Sequence, residues 1–109
     1  MTEQRTTESI EEVLNSRGLN YGEFSNTAKI AQDFFKILEQ SPAYKSNKLT
    51  DVHKEGIRMI LHKLARTLNG DPMYADTYTD IAGYAKLIEN HISDINRLKE
   101  KDVDMDSNS

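Results

Sequence analysis

Two apolar stripes of helical period, parted by a run of helix-breaking residues, constrain this chain more than any other feature. The first stripe takes in Val52, Gly56, Ile57, Met59, Ile60, Leu61, Leu64, Ala65 and Leu68. The second takes in Ile81, Tyr84, Ala85, Ile88, Ile92 and Ile95. Spacings of three and four put each set on one face of a helix. Between them, Asn69-Gly70 is a helix stop and Asp71-Pro72 reinforces the turn. Two long helices joined so closely form an antiparallel hairpin. The first stripe is wider than one partner needs, so its helix is expected to be central and contacted on two sides.

Two shorter helices are expected before this hairpin. Ser9 with Glu12 reads as a capping box opening a helix over 9–17, which Gly18 stops. Tyr21-Gly22 with Phe24 forms a turn carrying two aromatics. Ser25 or Asn26 can cap a helix over 26–40, whose apolar positions are Ile30, Ala31, Phe34, Phe35, Ile37 and Leu38. Pro42 ends it, and 43–49 is a polar connection. Thr50 or Asp51 caps the helix over 51–68, and Asp76 or Thr77 the helix over 76–99. At 1.5 Å per residue that last helix is roughly 35 Å long. It outruns the helix it pairs with, so its far end projects or meets another chain. The fold class is therefore all-α: a small four-helix bundle with a long antiparallel C-terminal hairpin. The domain covers 9–99, between a frayed N-terminus at 1–8 and a disordered acidic tail at 100–109.

Composition removes several classes of function. The 109 residues include no cysteine, which excludes disulfides, thiolate zinc sites and cysteine nucleophiles. No apolar run is long enough for a membrane span or a signal peptide, so the expected location is the cytoplasm. The net charge is -4 with no basic stripe, which argues against a broad nucleic-acid surface. His53, His62 and His91 lack metal-ligand spacing with one another. A chain this short buries a modest core, so a homodimer is expected.

The densest polar cluster runs from Lys63 to Tyr84. Lys63 and Arg66 are neighbours on one helix, as are Asp76 and Asp80 on the next. Hairpin register brings Leu68 opposite Asp76 and Leu64 opposite Asp80, so two cations and two carboxylates converge. One reading is a salt-bridge and capping network that closes the hairpin. The other is a phosphate or metal–phosphate site, with Lys63 and Arg66 on phosphate oxygens and Asp76 and Asp80 holding Mg²⁺. Asn69 and Tyr84 lie within the same segment. Arg17 and Tyr21 add a cation and an aromatic that could stack on a base. Gly56 and Gly83 fall at similar levels on facing helices, where close packing is expected, or room for a ligand ring beside Tyr84.

Three runs of residues carry a resemblance: Arg17-Gly-Leu-Asn-Tyr21-Gly22-Glu-Phe24, Lys63-Leu-Ala-Arg66-Thr-Leu-Asn69-Gly70-Asp71-Pro72 and Asp76-Thr-Tyr-Thr-Asp80-Ile-Ala-Gly83-Tyr84. Over residues 10–92 the chain resembles a small phage and prophage family of unknown function. More weakly, it is similar to phage nucleotide-modification-associated domains, which share Lys-x-x-Arg followed by Asp-x-x-x-Asp-x-x-x-Tyr. Lys63, Arg66, Asp76, Asp80 and Tyr84 fit that pattern. A remoter likeness is to MazG-like nucleotide pyrophosphatases, which gather carboxylates around Mg²⁺. Here Glu8 and Glu11 form the only Glu-x-x-Glu, at the terminus, and Thr77 stands where a glutamate would precede Asp80. Glu55 lies roughly 14 Å along the helix axis from Asp80.

The resemblance implies a small binding or accessory protein rather than an enzyme. It would act on nucleotide metabolism, on DNA modification or on a host factor in the host cytoplasm. The alternatives are an Mg²⁺-dependent pyrophosphohydrolase and an inhibitor of a host defence protein.

Overall fold

The computed structural model describes the backbone of residues 2–107 and the side chains of residues 9–101. Five helices follow one another: α1 Thr2–Tyr21, α2 Phe24–Gln40, α3 Pro42–Lys45, α4 Asp51–Asn69 and α5 Ala75–Ser107. No strand occurs among the described residues. Helices α4 and α5 form the expected antiparallel hairpin, and α4 also packs against α2 and α1. The central position of α4 follows from its broad apolar stripe.

Several expected boundaries shift, each for a local reason. Gly18 does not stop α1. The stop is Gly22, whose φ of +74° lies in the left-handed region and whose N–H closes onto the Gly18 carbonyl at 2.9 Å. Ser9 and Glu12 therefore lie inside a helix and form no capping box at its start. Helix α2 begins at Phe24 after Glu23, which makes no side-chain cap. Tertiary contacts described below replace the cap expected from Ser25 or Asn26. The polar connection after Gln40 contains α3, because Ser41 Oγ accepts from the Tyr44 N–H and Pro42 sits at the first helical position.

Thr50 does cap α4. Its hydroxyl accepts from the His53 N–H while His53 Nδ1 accepts from the Thr50 N–H, a capping box with histidine at the third position. Helix α5 starts at Ala75, with Asp76 inside its first turn rather than capping it. It continues to Ser107, with neither glycine nor proline after Gly83 to end it. The tail expected at 100–109 is thus helical in backbone to Ser107, as is the terminus expected to fray from Thr2. The side chains of 1–8 and 102–109 lie outside the described residues.

The core is thin. Ala31, Leu38 and Ala65 are its buried apolar members among the described residues. Val52 and Leu68, read as core from the period, are exposed, Leu68 at 66%. Near the hairpin turn the buried positions are instead Thr27, Thr67 and Thr77. Backbones approach closely there: Asp71 N–H donates to the Asn20 carbonyl at 2.6 Å, and a Cβ on Gly70 would overlap that carbonyl. Small side chains are what such spacing admits. Further along the hairpin Gly56 lies against Ile88, which occupies the space of its missing Cβ. Gly83 meets nothing within 4 Å, so the expected Gly56–Gly83 contact is absent. Gly83 lies five residues before Ile88 in α5, so the two glycines share neither a level nor a face.

Candidate functional site

The turn that joins α1 to α2 is held by the end of α4. Asn69 Nδ2 donates towards the Tyr21 carbonyl at 2.9 Å, the Glu23 carbonyl at 2.8 Å and Thr27 Oγ1 at 3.0 Å. Thr27 Oγ1 in turn donates to the Tyr21 carbonyl at 3.2 Å. Gly22 allows this approach, since a Cβ there would collide with Asn69. Asn69 was expected to bind a ligand. Its amide Nδ2 is engaged in fixing the backbone that carries Tyr21.

Tyr21, so fixed, is the centre of a line of contacts. The Arg66 guanidinium lies 4.7 Å from the Tyr21 ring centroid. Tyr21 also meets Tyr74 edge to face, with centroids 5.9 Å apart. Tyr74 donates its hydroxyl to Asp76 Oδ2 at 3.2 Å. That bond to a carboxylate raises the Tyr74 pKa. Guanidinium on an aromatic face leaves its in-plane N–H donors directed outward, free for a bidentate acceptor.

Beside this line is a cavity of about 290 Å³, lined by Leu14, Arg17, Gly18, Tyr21, Phe24 and Arg66 with Glu23 at the α2 start. Among the described residues neither Arg17 nor Arg66 is in an ion pair with a carboxylate. The cavity thus has an apolar wall, two cations and one carboxylate, that of Glu23. Three of the expected ligand residues, Arg17, Tyr21 and Arg66, come together here. The sequence pattern did not single out Leu14 and Phe24 as lining residues. The signal available was their exposure as large apolar groups, and exposure is a tertiary property.

The other expected residues fall elsewhere. Lys63 Nζ meets Asp80 Oδ2 at 2.9 Å, with the lysine side chain 15% exposed and the aspartate 50%. This is a cross-hairpin pair, in the register expected from the turn. Arg66 does not join it. Asp76 is bonded to Tyr74 and Asp80 to Lys63, and among the described residues no three His, Asp or Glu side chains gather as a metal site. Asp76 and Asp80 thus each have a separate partner, Tyr74 and Lys63. Tyr84 lies one turn beyond Asp80, lining an open depression with Thr79, Gly83 and Leu87. It does not line the cavity of Arg17 and Arg66.

His62 lies on α4 one residue before Lys63. Burial, then Arg66, then Lys63, hold its pKa below the ordinary 6.5. At the opposite end of the hairpin, His53 and His91 come together, in the same register that sets Leu64 opposite Asp80. Thr50 Oγ1 lies 2.8 Å from His53 Nδ1 and 3.0 Å from His91 Nε2. This group ties α5 to the start of α4.

The chain belongs to the DUF6378 family, a domain of unknown function whose model matches residues 6–92. That span takes in the cavity, the hairpin turn and the histidine pair. No curated protein and no solved structure matches the chain. No helix among the described residues is long and apolar enough to cross a membrane.

Proposed function

We propose that this DUF6378 member is a binding module for a phosphate-bearing ligand of the nucleotide class, acting as an accessory protein rather than as a hydrolase. One observation carries the reading: Arg17 and Arg66 line one cavity without a carboxylate partner among the described residues, and Arg66 is held in place on Tyr21. Two guanidinium groups suit phosphate oxygens, and the apolar wall of Leu14 and Phe24 suits a base. This agrees with the nucleotide-pathway setting implied by the phage-family resemblance. The Mg²⁺-dependent pyrophosphohydrolase reading is weaker, because Asp76 and Asp80 are each bonded to another residue.

The test is a thermal-shift series with inorganic phosphate, ADP and ATP, with and without Mg²⁺, followed by a phosphate-release assay. ADP should raise the melting temperature without Mg²⁺ and without turnover. Arg66→Ala should abolish that response, while losing only about 0.5–1 kcal/mol of stability with the Tyr21 contact. Turnover that needs Mg²⁺ would favour the hydrolase. No response to any of the three probes would reject the cavity as a nucleotide site and favour recognition of a host protein.

A further inference from the structure

We propose that Thr50, His53 and His91 form an acid-released latch, which fastens α5 to the start of α4 at the point where α5 leaves its cover. The register that sets Leu64 opposite Asp80 also sets His53 opposite His91. It puts Asp51, the first residue of α4, opposite Ser93. Beyond Ser93, helix α5 outruns α4. The latch therefore holds the last turn of α5 that α4 covers.

Hydrogen-bond direction fixes where the protons sit. The Thr50 backbone N–H donates to His53 Nδ1 at 3.2 Å, so that nitrogen carries no proton. Thr50 Oγ1 lies 2.8 Å from the same nitrogen, a contact that the hydroxyl proton fills. With its proton so used, Oγ1 accepts at 3.0 Å from His91, which presents Nε2–H. Oγ1 also accepts the His53 backbone N–H at 3.2 Å. The hydroxyl thus donates once and accepts twice, its full capacity. The bonds run one way, from His91 through Thr50 to His53.

Acid acts differently on the two imidazoles. His91 takes its second proton on Nδ1 and keeps the Nε2–H that holds Thr50. His53 takes its second proton on its own Nδ1, which displaces both Thr50 donors at once and breaks the capping box. The new charge sits in the first turn of α4, where the helix dipole disfavours a cation. Lys48 and Lys99 line the hollow of about 250 Å³ beside Thr50 and His53, and Lys54 lies over Tyr44. Of the nearby carboxylates, Glu39 is paired with Arg58, Glu89 with Lys86 and Asp94 with Arg97. Glu55 lines a separate hollow with Leu87, and Asp51 is exposed. Among the described residues no carboxylate makes an ion pair with either histidine. The latch accordingly tolerates a proton on His91 and opens when His53 takes one.

Hydrogen–deuterium exchange of the full chain, corrected for intrinsic exchange rates, tests this at about pH 7.5 and about pH 5.5, a window in which histidines change charge. The parent for the test carries His62→Gln, which removes the remaining histidine of the sequence. Residues 57–64, in the middle of α4, serve as the internal reference. Relative to them, protection of 50–56 and 88–95 should fall about tenfold on acidification, as one or two hydrogen bonds are lost. His53→Gln puts the usual capping-box residue at the third helical position, where it accepts the Thr50 N–H through a group that does not titrate. That variant should stay protected at both pH values. An unchanged parent overturns the latch, and a His53→Gln variant that loses protection as the parent does overturns His53 as its release. Should His53→Gln be unprotected even at about pH 7.5, the imidazole nitrogen shifts of the parent decide in its place. An unprotonated His53 Nδ1 at neutral pH, with Thr50 amide protection lost in step with its protonation, supports the latch. A proton already on that nitrogen at neutral pH, or protonation that leaves the Thr50 amide protected, overturns it.

Discussion

Asn69 makes three contacts with one amide, and those contacts define the turn on which Tyr21 stands. Asn69→Ala removes the donors and leaves the Tyr21 and Glu23 carbonyls short of partners. A loss of about 1–3 kcal/mol is expected, read by urea denaturation, together with a weakened ADP response. The Lys63–Asp80 pair is asymmetric in burial, and so should be its mutants. Asp80→Asn leaves a mostly buried ammonium without its counter-charge, whereas Lys63→Met removes the buried charge and keeps the stem. The first should cost roughly 1–2 kcal/mol, between the exposed and buried limits, and the second less. Equal losses would mean that burial does not govern the pair. His62 gives a pH dependence whose sign is set. Its folded pKa lies below the ordinary 6.5, so the unfolded chain takes up the proton first as pH falls. Stability from neutral His62 is full above that value and declines below it. Melting at about pH 7.5 and about pH 5.5 should therefore show a smaller acid loss in His62→Gln than in the wild type.

The helices separate two glycines that look equivalent in the chain. Gly83 is exposed in the interior of α5 with nothing where a Cβ would go. Gly83→Ala should stabilise the protein by about 0.5–1 kcal/mol, since only backbone freedom is at stake. Gly56→Ala pushes a methyl group into Ile88 and should destabilise by about 1–3 kcal/mol. Each kcal/mol corresponds to roughly 4–8 °C for a domain of this size, so thermal melts resolve the opposite signs. The hairpin itself was legible in the sequence, because a period of three to four flanking Asn69-Gly70-Asp71-Pro72 leaves little other geometry. The start of α2 was not. It is set by Asn69 and Thr27 reaching back to the Tyr21–Glu23 backbone, and no local cap records that.

At the scale of the molecule the chain is drawn out, with extents of 71 × 34 × 26 Å and a radius of gyration of 19.7 Å. A compact chain of about 100 residues has a radius near 13 Å. The extension follows from helices long for the core they share: α5 outruns α4, and among the described residues α1 meets the hairpin turn near its C-terminal end, at Asn20 and Tyr21. By itself the sequence determined the all-helical class, the hairpin and its register from Leu64 opposite Asp80, and narrowed the cap of α4 to Thr50 or Asp51. All of these depend on the period and on contacts within a few residues. Only the tertiary structure decided how the polar cluster divides. Lys63 and Asp80 pair across the hairpin, Asp76 turns to Tyr74, and Arg66 turns to Tyr21. Residues one helical turn apart share a face, yet a side chain's partner depends on which third element packs beside it. Here that element is α1. Its C-terminal end brings Tyr21 and Arg17 to Arg66, across more than forty residues of chain that no local spacing could relate.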